Sequence, residues 1–170
     1  VSKKEMVERI AAYPSAFEPN SKAEYSNSNY YILGCIIEDL TKVSYATNLK
    51  NRITSRLKLR DTYLVDKVDV NRNESYYYLY NGTKWELFPE WDMSLPFAAG
   101  GITSNANDLT ALMRSIFNGK ILKPSSLEKM TELNQSYGIG LVTFPFGERK
   151  FFGHTGGIEG YRSVVGYYPT

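Results

Sequence analysis

The chain has 170 residues, a formal net charge of +2 and a composition ordinary for a globular protein except for its fourteen tyrosines. That length suits one domain burying about 70% of its unfolded surface, and so small a charge excludes a general basic surface for nucleic acid. A single cysteine, Cys35, excludes both an internal disulfide and a cysteine metal site. No apolar run reaches the roughly 18 residues needed to span a bilayer.

Lys3 to Ala12 places Met6, Val7 and Ile10 at helical spacing and stops before Tyr13-Pro14, because the residue before proline disfavours helix. This predicts a short surface helix. Phe17 to Glu24 is a loop by composition. A second helix is expected from Ser28 to Lys42, where Tyr31, Ile32, Leu33, Cys35, Ile36, Ile37 and Leu40 form a stripe wide enough to predict extensive burial. Cys35 then reads as a buried small hydrophobe without a partner.

Ser44 is the expected N-cap of a third helix through Leu57, which leads into a short extended piece. The cations Lys50, Arg52, Arg56, Lys58 and Arg60 gather at that helix's end, where they complement its dipole. They read as a solvated face, with a polyanion site as the alternative. Tyr76 to Tyr80, Asn81-Gly82 and Thr83 to Phe88 predict a hairpin with a type I′ turn at Asn-Gly. Its aromatics either line a cleft or cover the core.

Ser104 is the expected N-cap of a helix to Asn118, with Leu109, Leu112, Met113, Ile116 and Phe117 inward and Gly119 as its stop. Pro124 opens a short helix through Leu133. Tyr137 to Phe144, Lys150 to Gly157 and Tyr161 to Tyr168 read as three strands. Helices followed by a meander predict an α+β fold with segregated layers.

Two short stretches carry chemistry. Tyr25-Ser26-Asn27 closes the loop and opens the apolar helix, so Tyr25 and Asn27 project toward one cleft from a rigid helix end. Asn27 offers donors and an acceptor to a substrate amide, although read alone it is a helix cap. Far downstream, Gly153-His154-Thr155-Gly156-Gly157 ends a strand in a hydroxyl-bearing, glycine-rich rim. Thr155 is placed to bond a substrate carboxylate or carbonyl, and Gly156 and Gly157 let a substrate backbone lie close to the strand edge. His154, the only histidine, has a plain structural role as its alternative. No His/Asp/Glu cluster has metal-ligand spacing and no Gly-rich loop joins a strand to a helix as phosphate binding needs, so neither metal nor cofactor is expected.

Pro19 to Gly34, then Ala98-Ala99-Gly100-Gly101-Ile102-Thr103-Ser104, then Gly153 to Gly157 together resemble the serine β-lactamase and penicillin-binding-protein superfamily. The branch resembled is the class C-like one, with its D-Ala-D-Ala carboxypeptidases and esterases. That family uses a Ser-x-x-Lys nucleophile, a Tyr-x-Asn and a Lys/His-Thr-Gly on a strand, a logic shared with class A enzymes. The resemblance implies that Tyr25 takes the serine proton and returns it to the leaving group. It also implies that the Gly157 N–H is one oxyanion donor, while Asn27, His154, Thr155 and Gly156 hold substrate. A phenol ordinarily titrates near about 10, so a tyrosine base at neutral pH requires a nearby cation. The family's Ser-x-x-Lys lysine is one. His154 stands where typical β-lactamases carry lysine, which weakens the case for strong carboxylate recognition and for β-lactam resistance.

The first motif is missing. Ser126-Leu127-Glu128-Lys129 fits its letters but follows Tyr25 instead of preceding it. The chain, which does not begin with Met, therefore reads as the central part of one catalytic domain cut at both ends, with 1–134 mostly helical and 135–170 forming strands. Such a piece is expected to be inactive alone. Its parent is expected to be a serine-type acyl hydrolase acting on an ester, a D-amino-acid peptide or a β-lactam through an acyl-enzyme, in an extracytoplasmic bacterial setting. The alternative is a non-catalytic relative binding a peptidoglycan-like peptide. The expected partner is thus a small-molecule or peptide substrate and not nucleic acid. Tyr161 to Tyr168 forms an open edge that invites self-association or complementation by the missing segments.

Overall fold

The computed structural model describes residues 1–64, 67–88, 92, 95–135, 137–158 and 160–169. Helix α1 (Lys3–Ala11) opens with a reciprocal capping box in which the Ser2 hydroxyl accepts from the Glu5 N–H and the Glu5 carboxylate accepts from the Ser2 N–H at 2.7 Å. None of its residues is buried, as expected of a surface helix. It docks through Lys3, which pairs with Glu38 and lies 4.3 Å from the centre of the Phe97 ring.

Helix α2 (Asn27–Thr41) ends at Lys42, whose φ of +57 turns the chain out of the helix. Its cap is Ser26, whose hydroxyl accepts from the Asn29 N–H at 3.3 Å, so the capping role considered for Asn27 falls to its neighbour. The expected burial of α2 needs correcting. Only Tyr31 and Gly34 are buried, whereas Leu33, Ile36 and Leu40 are 49%, 46% and 78% exposed. The helix packs against α1, the Tyr45–Leu49 helix and the Phe97–Gly100 helix around part of its circumference, and the rest of the apolar stripe faces outward. Cys35 is correspondingly half-buried and free; burial pushes its thiol up.

The predicted third helix is one helical path in three pieces: α3 (Tyr45–Leu49), a π-turn over Lys50–Thr54 and α4 (Ser55–Leu57), capped by Ser44 as expected. Buried Asn48 ties it to the end of α2, its amide donating to Thr41 Oγ1 and to the Val43 and Ser44 carbonyls at 2.8–3.1 Å. The extended piece that follows is β1 (Tyr63–Leu64).

The hairpin is present as β2 (Tyr78–Tyr80) and β3 (Trp85–Leu87), with Tyr80 opposite Trp85. Its turn is displaced by one residue from the expected Asn81-Gly82 centre. The Asn81 N–H bonds the Lys84 carbonyl, leaving Gly82 and Thr83 at the centre, and Gly82 takes φ +99. Asn81 instead uses its side-chain oxygen to accept from the Thr83 and Lys84 N–H groups, at 3.0 Å each, the local bonding that favours asparagine in turns. The residues of both strands are exposed, so they do not cover the core.

Helix α5 (Phe97–Gly100) precedes β4 (Ile102–Thr103), which pairs antiparallel with β1. Helix α6 (Ala106–Phe117) is capped by Asn105, one residue beyond the expected Ser104. Ser104 bonds Thr62 at 2.8 Å, and Asp108 accepts from the Thr62 hydroxyl and the Asp61 N–H, locking α6 to the β1 approach. Helix α7 (Pro124–Thr131) carries its proline at the helix start and ends slightly before the expected Leu133.

Among the described residues the buried hydrophobic ones are Tyr31, Leu49, Leu59, Phe97, Met113 and Leu141. Phe97 is central: its ring lies 5.1 Å from Tyr31 and 5.2 Å from Tyr45, contacts that hold it at the unusual φ of +40. Gly34 allows this close packing, since a Cβ there would overlap the Ala98 Cβ and lie 2.7 Å from the Phe97 ring. Gly100 likewise packs against Ile158, tying the helical layer to the end of the sheet.

That sheet is an antiparallel meander in the order β5 (Val142–Phe146), β6 (Arg149–Ile158), β7 (Tyr161–Tyr167). The first strand begins later than expected, with Tyr137 making only isolated bridges to Asn134 and Val142. One end of β7 is covered by the helical layer, where Phe117 of α6 stacks on Tyr167 with centroids 4.3 Å apart. The helices followed by this meander make the α+β architecture predicted.

Candidate active site

Ser26 fixes the first turn of α2, and that leaves the flanking side chains available. The Tyr25 hydroxyl donates to Asn27 Oδ1 at 2.7 Å, and Tyr25 is 59% exposed. Its ring reaches across to the sheet: it lies 6.3 Å from the His154 ring and 6.1 Å from that of Tyr137. The N-terminal end of α2 and the middle of β6 thus meet, although they come from opposite ends of the sequence.

Tyr137 is the residue that sequence reasoning missed. Its hydroxyl bonds His154 Nε2 at 2.8 Å, and the two rings are edge-on at 5.9 Å. Two backbone bonds with Asn134, at 2.9 and 3.0 Å, pin it in place. The following Gly138 has no room for a side chain, because a Cβ would overlap the Met130 carbonyl oxygen. Burial, followed by the neighbouring Tyr30 and Tyr25, pushes the Tyr137 phenol up, so it keeps its proton at neutral pH. Unlike Tyr25, this tyrosine stands in no motif that would mark it in the sequence.

His154 Nδ1 lies 2.5 Å from the Thr155 carbonyl oxygen, which can only accept, so Nδ1 carries the hydrogen. In the neutral imidazole that leaves Nε2 to accept from the Tyr137 hydroxyl. Thr155, Gly156 and Gly157 are exposed along the same strand, opposite Val164, Ser163 and Arg162 of β7. The pairing is one-sided here: β5 accompanies β6 only as far as Gly153, while β7 continues to Ile158. Residues 154–158 therefore have a strand on one side only among the described residues. A Cβ at Gly156 would require the Ser163 hydroxyl to turn aside, and the space beside Gly157 is bounded by the Arg162 guanidinium at 3.4 Å.

Tyr25 and Tyr137 also line an open pocket of about 360 Å³, together with Glu24, Asn29, Tyr30 and Gln135. Glu24 pairs with Lys22 at 3.0 Å. Among the described residues no cluster of three or more His, Cys, Asp or Glu side chains is arranged to hold a metal, and no helix is long and apolar enough to cross a membrane.

A Tyr-x-Asn at a helix start facing a His-Thr-Gly strand defines the class of β-lactamase-related proteins. The β-lactamase family model matches residues 1–170, and the chain belongs to that family. Its relatives are hydrolases and penicillin-binding-protein homologues, consistent with the serine β-lactamase and penicillin-binding-protein superfamily. The chain is 28% identical over 103 residues to a teichoic acid D-alanine hydrolase of Staphylococcus aureus, covering 61% of this chain and 26% of that protein. Among solved structures it superposes on a D-stereospecific amidohydrolase from Streptomyces sp. with a TM-score of 0.87 and 28% identity, covering 99% of this chain and 53% of the other. A D-amino acid amidase from Ochrobactrum anthropi SV3 gives 0.83 at 26% identity, again with 99% and 53% coverage. The chain thus spans about half the length of these structures and about a quarter of the curated relative.

Proposed function

We propose that the protein is a serine-type acyl hydrolase acting on D-aminoacyl amides or esters through an acyl-enzyme whose nucleophile lies outside these 170 residues. The observation that carries this reading is the approach of Tyr25 and His154, with ring centres 6.3 Å apart. In this reading Tyr25 accepts the proton of the attacking serine and delivers it to the leaving nitrogen or oxygen. A phenol ordinarily holds its proton near neutrality, so the role requires the cation of the family's Ser-x-x-Lys beside it. The Gly157 N–H is one donor to the oxyanion, an interaction worth about 3 to 4 kcal/mol in comparable sites. Asn27 and Thr155 hold the substrate's amide or carbonyl, His154 borders it, and Gly156 admits its backbone to the unpaired edge of β6.

The choice of D-aminoacyl substrates over β-lactams rests on the names of the relatives and on histidine at position 154. Residues 1–170 form the central part of one catalytic domain in this reading, with further segments completing it. The test uses full-length protein: a fluorophosphonate probe with mass spectrometry to locate the labelled serine, and hydrolysis of D-phenylalanine amide and a D-alanyl ester. Labelling of a Ser-x-x-Lys serine with turnover of either substrate is expected. Absence of both would favour a non-catalytic domain that binds a peptidoglycan-like peptide.

A further inference from the structure

We infer that Tyr137 is a positioning residue for His154, holding its imidazole as the neutral Nδ1–H tautomer with Nε2 committed to the Tyr137 hydroxyl. Three observations converge. The Thr155 carbonyl accepts at 2.5 Å from Nδ1, which removes the choice of tautomer on that side. The Tyr137 hydroxyl lies 2.8 Å from Nε2, which in that tautomer has a lone pair and no hydrogen. The edge-on ring contact at 5.9 Å and the paired backbone bonds to Asn134 leave Tyr137 little freedom to turn away.

Tyr137 also touches the Tyr25 ring, so it spans the two halves of the site. Loss of its hydroxyl would expose Nε2 to water, which serves equally as donor or acceptor. The Nε2–H tautomer, the imidazolium and other ring orientations would then become accessible. His154 would no longer present one fixed edge to the cleft. A residue that merely filled space here would leave the imidazole's protonation pattern unchanged when its hydroxyl alone was removed.

The experiment is long-range ¹H–¹⁵N correlation of the imidazole nitrogens in full-length protein, wild type and Tyr137→Phe, with His154→Gln identifying the signals. The wild type is expected to show a protonated Nδ1 and a bare Nε2, and Tyr137→Phe a mixture of tautomers. An Nε2–H wild type, or nitrogen shifts unchanged in the variant, would overturn the inference. If the phenylalanine variant folds poorly, 3-fluorotyrosine at 137 keeps the ring and donates more strongly; a shift of the Nε2 resonance supports the assignment and an unmoved one sinks it.

The kinetic arm rests on the proposed hydrolase reading. There Tyr137→Phe should lower kcat/KM about threefold to tenfold, the range expected for one hydrogen bond. A kcat/KM unchanged while the tautomers mix would show that the positioning serves no catalytic purpose and overturn that part. A wild type that hydrolyses nothing would defeat the hydrolase reading alone, since the nitrogen shifts would still decide the role of Tyr137.

Discussion

The Tyr25 hydroxyl donates to Asn27 Oδ1 at 2.7 Å, across the single residue that caps α2. This bond holds the phenol oxygen beside the helix start while the ring extends toward His154. In full-length protein Tyr25→Phe should lower kcat by about a hundredfold to ten-thousandfold, the usual contribution of a positioned acid–base group, with little change in KM. Steady-state kinetics on a D-aminoacyl amide provides the check. A raised KM with kcat intact would assign Tyr25 to ground-state binding instead.

The division of labour between Ser26 and Asn27 is open to a stability measurement. Ser26 accepts the Asn29 N–H, so Ser26→Ala should cost about 1 kcal/mol, within the roughly 0.5–2 kcal/mol range for lost caps. Asn27→Ala removes no cap and should cost clearly less, while reducing activity more. Urea midpoints of the two variants, taken with their turnover, separate the roles; a larger stability loss at Asn27 would return the capping function to it.

How much of this was legible follows from the range of the interactions involved. The helices and the meander were readable because apolar spacing, Pro14, Pro124 and Gly119 act over a few residues. The caps at Ser26 and Asn105 and the turn at Gly82 were displaced by one residue because adjacent Ser, Asn and Gly compete for the same local roles. Tyr25, Asn27, His154 and Thr155 stood out as candidates because their neighbours form motifs, and the structure brings the Tyr25 and His154 rings together. Tyr137 was not, since its bond to His154 depends on how an irregular turn lies against β6. The outward face of α2 was misjudged for a related reason: the stripe records apolar character, not which segments cover it.

Gly34→Ala probes the packing that joins α2 to α5. The added methyl would meet Ala98 and the ring of Phe97, itself held at positive φ, and overpacking of this kind costs about 1–3 kcal/mol. Thermal unfolding of the variant should show a lower midpoint. An unchanged midpoint would mean that α5 moves aside without penalty, and that Phe97 is less firmly held than its contacts imply.

The chain alone should be catalytically silent. Ser126, which like Ser55 has a lysine three residues on, is exposed within α7, where the segment is a short surface helix opened by Pro124. A nucleophile needs a base and oxyanion donors arranged around it, which an exposed position on a surface helix does not supply by itself. Treatment of the 170-residue chain with a fluorophosphonate or penicillin probe should leave every serine unlabelled by mass spectrometry. Stoichiometric modification of Ser126 would place the nucleophile inside the chain and reverse the assignment.

The last prediction concerns the edge of the sheet. Strand β7 pairs with β6 through seven residue pairs and, among the described residues, has no strand on its other side. It contains neither proline nor lysine, the residues that commonly discourage edge pairing, and Val164 is 66% exposed. Phe117 covers the Tyr167 end, but α2 adds a second apolar surface through Leu33, Ile36 and Leu40. The isolated chain should therefore self-associate, or pair with the segments that complete the domain in the intact protein. Light scattering across a dilution series should give a mass that rises with concentration, and Val164→Lys should shift it toward the monomer without lowering helical content. A dilution-resistant monomer with sharp, native-like chemical shifts would show instead that these 170 residues close their own core.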